Sequence, residues 1–216
     1  MLHGRVVRPY GVGAELVSVD ESGLKDIPGF VQVVRRGNFL GVVAETEWAA
    51  IQAAEKLGST LHPEGPQSAQ AKWGEWTGLP QQDEIWDTLR KTTGTNESVA
   101  AKGSVDMALP FAAKTIQATY QTPFQMHGSI GPSCAIADVR PDGATFWAGT
   151  QMPHQMRADM AKMLGLPEDR IGVIWHEASG AYGRNGLEHV IPDAALLSQA
   201  VGRPVRVQWM RWDEHG

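Results

Sequence analysis

The sequence predicts an α+β fold, on the strength of three observations. Short β-branched runs separated by Gly and Pro turns fill the first 44 residues, and a helix with both ends marked follows them. Beyond residue 112 the order becomes strand, helix, strand, glycine turn, helix, strand, which is an α/β order.

The first runs are residues 5–7, 15–19, 31–35 and 39–44, divided by Pro9-Tyr10-Gly11, Pro28-Gly29 and Gly37-Asn38. These read as strands between turns. Thr46 is an N-cap for a helix over 47–57 that sets Trp48, Ile51, Ala54 and Leu57 on one face, and Gly58 stops it. From 58 to 103 the pattern weakens into a connector rich in Pro, Gly, Gln, Thr and Ser. One short helix is expected at 83–90, with Ile85, Trp86 and Leu89 buried, and Trp73 and Trp76 read as packing anchors of this stretch.

The second block has strands expected at 115–121, 134–139 and 144–149, the last two joined by the turn Arg140-Pro141-Asp142-Gly143 as a hairpin. A helix over 153–164 offers Met156, Met160, Met163 and Leu164 for burial. A strand at 171–176, a helix at 192–201 stopped by Gly202, and a strand at 204–212 complete the series.

Composition narrows the function. At 216 residues and 42% hydrophobic, the chain can fill a normal core. With 24 acidic against 19 basic residues it has no basic stripe, which argues against a nucleic-acid partner. Its single cysteine, Cys134, cannot build a multi-cysteine zinc or iron–sulfur site alone, so an iron–sulfur role needs another chain. No window approaches the roughly 20 apolar residues of a spanning helix. The start, MLHGRVVRPYG, lacks the apolar core of a secretory signal. The expectation is cytoplasmic if that start is genuine, and periplasmic if an upstream signal is missing.

Two segments can carry chemistry. Residues 179–186, Ser179-Gly180-Ala181-Tyr182-Gly183-Arg184-Asn185-Gly186, follow a strand and precede a helix, so backbone N–H groups could approach an anion there; an ordinary Gly-rich turn is the alternative. Gly149-Thr150-Gln151-Met152-Pro153 lies between a strand end and a helix start, where Gln151 offers a donor and an acceptor; a polar cap is the alternative. His127, His154, His176 and His189 have no metal-ligand spacing and read as structural or surface residues. Cys134, within Ser133-Cys134-Ala135-Ile136-Ala137, reads as a buried thiol.

Read together, Tyr120-Gln121-Thr122-Pro123-Phe124-Gln125-Met126-His127, Gly149-Thr150-Gln151, Leu164-Gly165-Leu166-Pro167, Gly180-Ala181-Tyr182-Gly183-Arg184, Asp193-Ala194-Ala195-Leu196-Leu197-Ser198 and the ending Gly202-Arg203-Pro204-Val205-Arg206-Val207 to His215 form a pattern. It resembles the molybdopterin-binding subunit of the xanthine dehydrogenase and aldehyde oxidase family. The Tyr-Gly-Arg form of the loop is similar to the isoquinoline 1-oxidoreductase and nicotinate dehydrogenase branch. Residues 2–9, 27–31 and 41–45 resemble the family's α/β hammerhead domain.

The resemblance implies a hammerhead-like domain over 1–62, a connector over 63–111 and the first part of a mixed α/β molybdopterin-binding domain over 112–216. It implies that Gln151 lies beside the oxygen ligands of molybdenum, and that Gly180, Ala181, Tyr182, Gly183 and Arg184 lie against the metal centre and pterin. The implied cofactor is molybdopterin, with a cytosine dinucleotide as one form of it, held only with a completing partner.

The implied reaction is oxidative hydroxylation of an N-heterocycle or an aldehyde with water as the oxygen source. The implied partners are an iron–sulfur subunit and a chain carrying the rest of the cofactor domain. The family's general-base glutamate falls outside this sequence, so the chain alone is expected to be inactive, and both ends are expected to be internal to a longer ancestral chain. A split subunit, a non-catalytic domain that binds a partner or small ligand, and a simple fragment all stay open. Two departures stand out: Ser179 and Ala181 occupy positions usually held by glycine, and Gly131-Pro132 stands where relatives often carry Glu-Pro.

Overall fold

The computed structural model describes residues 1–9, 11, 13–58, 70–75, 80–123, 128–183 and 190–214. The chain divides into two compact units, residues 1–78 with 126–216, and residues 79–125. In chain order the elements are β1 (Leu2–Val6), β2 (Leu16–Val19), β3 (Phe30–Arg36), β4 (Phe39–Ala44), α1 (Glu47–Leu57), β5 (Ala71–Trp73), α2 (Ile85–Lys91), α3 (Val105–Ala108), β6 (Cys134–Arg140), β7 (Gly143–Ala148), α4 (Pro153–Leu164), β8 (Ile171–Trp175), α5 (Val190–Val201) and β9 (Val205–Gln208).

The larger unit is built on one seven-stranded sheet in the order β3-β4-β1-β9-β6-β7-β8, with β2 and β5 paired beside it as a separate ribbon. Strands from 1–62 and from 112–216 therefore share a sheet, joined where β1 runs parallel to β9 in the register Leu2↔Val205, His3↔Arg206 and Gly4↔Val207. The expected hairpin is present: β6 and β7 pair from Ala135↔Ala148 to Arg140↔Gly143, leaving Pro141-Asp142 as the two-residue turn. β7 and β8 run parallel, connected through α4, as a βαβ unit requires.

Two cores lie on opposite faces of this sheet. Alternation along β4 separates them: Val43 joins a cluster with Phe146, Ala137, Val205, Met156, Met160 and Leu197 beneath α4 and α5. Leu40, Val42 and Ala44 join a second cluster with the α1 residues Ala49, Ala50, Ala53, Ala54 and Leu57. Strand β4 is buried on both faces, which its unbroken apolar run reflects.

Helix α1 has the expected ends: the Thr46 side chain accepts from the Ala49 N–H at 3.1 Å, and Gly58 closes the helix in the left-handed region at φ 102°. Its buried face is rotated from the expected one. Trp48 is 63% exposed, and the small residues Ala49, Ala50, Ala53 and Ala54 face the sheet, because alanines allow close helix–sheet approach and an indole does not. Glu47, in the first turn, accepts from Arg5 at 2.8 Å and from Arg206 at 3.4 Å, which ties α1 to β1 and β9.

Helix α5 lies over the middle of the opposite face. Gly4 and Gly41, on adjacent strands, make room for Leu197: a Cβ on Gly4 would fall 2.4 Å from Leu197 Cδ1, and one on Gly41 2.9 Å from Leu197 Cδ2. Buried Asp193, on the same helix, accepts from Trp209 Nε1 at 2.8 Å and from Arg8 Nη2 at 2.6 Å. The Arg8 guanidinium also stacks over the Trp209 ring, 4.9 Å from its centroid.

In the smaller unit, α2 and α3 bury no side chain. The expected burial at 83–90 is not found: Leu89 is 51% exposed and Ile85 and Trp86 are only half-buried. The strand expected at 115–121 is also absent; residues 112–123 have no regular structure and Ile116 is 80% exposed, since β-branched residues form a strand only where a neighbour strand supplies hydrogen bonds. Trp73 does pack on the α1 core, whereas Trp76 lies outside the described residues. The final strand is shorter than expected and ends at Gln208, followed by turns. Among the described residues no helix is long and apolar enough to cross a membrane.

Candidate functional site

The parallel strands β7 and β8 end side by side, and the segments leaving their carboxyl ends are thereby made neighbours. The strand pairing continues one step beyond β8, where the His176 N–H donates to the Ala148 carbonyl at 3.1 Å. Gly149 then passes against Ala178 so closely that a Cβ on it would lie 2.4 Å from the Ala178 Cβ. Thr150 is buried and accepts from the Met152 N–H at 3.2 Å, and this turns exposed Gln151 outward at the start of α4.

Two cavities share the Gly149–Ala178 wall. The smaller, about 180 Å³, is lined by Gly149, Thr150, Gln151, Trp175, Ala178, Gly180 and Ala181. It brings together Gln151 and the first two expected loop residues. The larger, about 590 Å³, lies over the β6–β7 face and is bounded by Gly131, Cys134, Trp147, His176 and Ser179, among others.

The loop itself is built from unusual backbone. Gly180 and Gly183 have positive φ, 98° and 94°, and Tyr182 shares that region at φ 48°, the one non-glycine to do so among the described residues. At φ 98° any side chain at Gly180 would be strained, and a Cβ there would also displace the exposed Tyr182 ring, whose Cε2 lies 2.6 Å away. Left-handed backbone at Gly180, Tyr182 and Gly183 gives the segment a sharp local turn directly after the Ala178 contact. Arg184, Asn185 and Gly186 lie outside the described residues, as do His127 and His189.

Other residues singled out in the sequence fall elsewhere. Cys134 is half-buried and faces the larger cavity rather than the core, because strand alternation sends its neighbour Ala135 to the core instead. Burial pushes its thiol pKa up, against the pull of the Arg206 guanidinium, so it stays protonated at neutral pH. His154 lies on α4 with Arg157 around a third cavity, which shares Trp175 with the Gln151 cavity but is not lined by Gln151. Sequence reasoning missed Trp175, 57% exposed, although its place as the last residue of a strand is a signal that could have found it. It also missed the pairing of Ser179 with Gly131, whose hydroxyl and backbone are 2.8–2.9 Å apart.

The smaller cavity is lined by one amide side chain, one hydroxyl and glycine- and alanine-rich backbone; among the described residues no cluster of three His, Cys, Asp or Glu side chains is placed to hold a metal ion. That set suits a group that brings its own metal ligands and takes orienting hydrogen bonds from the protein.

Solved structures place the fold in a class. Quinoline 2-oxidoreductase from Pseudomonas putida 86 matches 99% of this chain, and 31% of its own, with a TM-score of 0.72 at 20% identity. The aldehyde oxidoreductase of Desulfovibrio gigas matches 99% of this chain and 27% of its own with a TM-score of 0.74 at 16% identity. This is the mixed α/β fold of molybdenum hydroxylases.

Sequence takes the assignment further. Residues 90–215 match the molybdopterin cofactor-binding domain. A nicotinate dehydrogenase subunit of Pseudomonas putida is 43% identical over 224 residues, an alignment that covers 100% of this chain. The chain belongs to the molybdopterin-binding subunits of the xanthine dehydrogenase and aldehyde oxidase family, and it spans 18% of the length of that nicotinate dehydrogenase relative.

Proposed function

We propose that this chain contributes one side of the cofactor site of a molybdenum hydroxylase acting on an N-heteroaromatic substrate. The observation that carries the reading is the shared cavity: Gln151 and the start of the 180–183 loop line the same small space at the carboxyl ends of two parallel strands. The 43% identity to a protein named for nicotinate supports a heteroaromatic acid as the first substrate to test. The residue ranges 1–62 and 112–216 act here as a hammerhead-like domain and the first part of the cofactor domain, with 63–111 between them.

When bound, the molybdenum cofactor supplies two-electron oxidation of a carbon with water as the oxygen source. The chain's own part is to hold and orient. The Gln151 amide would give or take an orienting hydrogen bond in the small cavity and the backbone of residues 180–183 would hold the cofactor, while Arg184 belongs to this set by the sequence resemblance alone. The tight Gly149–Ala178 approach keeps both segments in register. An iron–sulfur subunit would take the electrons, and the remainder of the cofactor domain, with the general base, would come from sequence outside these residues. The cytosine dinucleotide form of molybdopterin is the form proposed here, loaded only in the presence of that completing sequence.

Co-production of the chain with its completing sequence and an iron–sulfur subunit tests this. Molybdenum and pterin should be present in the assembly near one per chain, with turnover of nicotinate or a related heteroaromatic acid. Q151A should cut turnover by about 10–1000-fold with the cofactor still loaded, the usual cost of losing an orienting donor. An assembly with neither molybdenum nor pterin sinks the proposal.

A further inference from the structure

The loop at 180–183 is tied at its start by one side chain. Ser179 Oγ accepts a hydrogen bond from the Gly131 N–H at 2.8 Å and donates one to the Gly131 carbonyl at 2.9 Å, so one hydroxyl engages both backbone groups of a single residue. Gly131 belongs to a braced segment. Arg211 donates to the carbonyls of Ser129 at 2.6 Å and Ile130 at 2.8 Å, the Ser133 N–H donates to buried Glu214 at 2.6 Å, and the Trp209 N–H donates to the Ser133 carbonyl at 2.9 Å. The loop is therefore bonded through Ser179 to a segment that the chain beyond β9 holds still.

The glycine at 131 is explained by volume. Its φ is not in the positive region, so no conformational need selects glycine there. A Cβ at this position would fall 2.8 Å from Ser179 Oγ and 3.2 Å from Ser179 Cβ. Ser179 and Gly131 are thus matched: the hydroxyl occupies the space that a side chain at 131 would need. Both residues also line the larger cavity, beside the wall that separates it from the Gln151 cavity.

We propose that Ser179 is a positioning residue whose bond to Gly131 sets the placement of the 180–183 loop against the entry to β6, and that Gly131 is required by that bond. The functional consequence rests on the reading of this loop as a cofactor contact. The role assigned to the hydroxyl is to fix the backbone of the loop through Gly131.

The test uses the assembled protein as wild type, S179A, S179T, G131A and G131A/S179G, with amide hydrogen exchange followed across residues 129–133 and 179–183. Loss of a hydrogen bond should speed exchange in both segments by about five- to tenfold in S179A. S179T, which keeps the hydroxyl, should stay near wild type. G131A should disturb the loop, and S179G should relieve that disturbance in the double variant. The paramagnetic resonance signal of bound molybdenum should shift in S179A and not in S179T. Unchanged exchange in S179A, or a G131A defect undiminished by S179G, overturns the proposal. A wild-type assembly without molybdenum defeats the cofactor reading alone, since the exchange rates still decide the Ser179–Gly131 bond.

Discussion

The Trp209 indole N–H donates to the Asp193 carboxylate at 2.8 Å, and Arg8 reaches the same oxygen at 2.6 Å. This arrangement joins the chain after β1, the first turn of α5 and the end of β9. Its members are unequally buried: Asp193 is 7% exposed, whereas the Arg8 side chain is 36% exposed and partly hydrated. Removing the carboxylate leaves a buried indole N–H unpaired. D193A should lower stability by about 2–3 kcal/mol, below the full cost of breaking a wholly buried ion pair because Arg8 keeps some water. Urea denaturation followed by tryptophan fluorescence measures it, and an unchanged midpoint would contradict the assignment.

The contact of Leu197 with Gly4 should show as non-additivity. G4A forces a methyl group to within 2.4 Å of Leu197 Cδ1 and should cost about 1–3 kcal/mol as overpacking. L197A alone should cost about 2–5 kcal/mol as a cavity. In G4A/L197A the two errors offset, so the measured loss should be smaller than the sum; an additive result would show that Gly4 and Leu197 are not in contact.

A pH dependence follows from His3. Burial lowers its pKa below the ordinary 6.5, and the Arg206 charge lowers it further, while Glu47 acts in the opposite direction. A base with a depressed folded pKa contributes its full stability above the unfolded value. As pH falls below 6.5 the unfolded chain takes up the proton first, and stability is lost. Between about pH 7.5 and about pH 5.5 the wild type should lose more stability than H3Q, which carries no titrating group there. Equal losses in the two proteins would mean that His3 titrates normally.

Strand β8 is paired on one side only among the described residues, and it carries Ile174 at 44% and Trp175 at 57% exposure. An open edge with apolar side chains is a template for pairing. The 216-residue chain by itself should self-associate at micromolar concentration, and I174K should increase the monomer fraction seen by light scattering. A fully dispersed wild-type monomer would argue that this edge is covered.

Much of the local structure is legible because its signals are local. The Thr46 cap, the Gly58 stop, the Pro141-Asp142 turn and the Met156 and Met160 positions each depend on neighbours within a few residues. Where distant partners decide, local pattern misleads: Trp48 faces out although its spacing predicts burial, and 115–121 forms no strand. At the site, Gln151 and Gly180 to Gly183 stand out because strand ends and glycine turns are visible in sequence. Ser179 and Gly131, 48 residues apart, can be noticed separately but not as a bonded pair.

By itself the sequence determined most of the strands, helices and turns of the larger unit, and the family through the order of its motifs, since these follow from residue type and short spacing. Only the tertiary structure decided that β1 lies beside β9, that Asp193 holds both Arg8 and Trp209, and that one serine ties the candidate cofactor loop to Gly131. Backbone hydrogen bonds are chemically alike at every residue, so a strand's partner is chosen by which faces pack together across the whole chain. No local pattern records that choice.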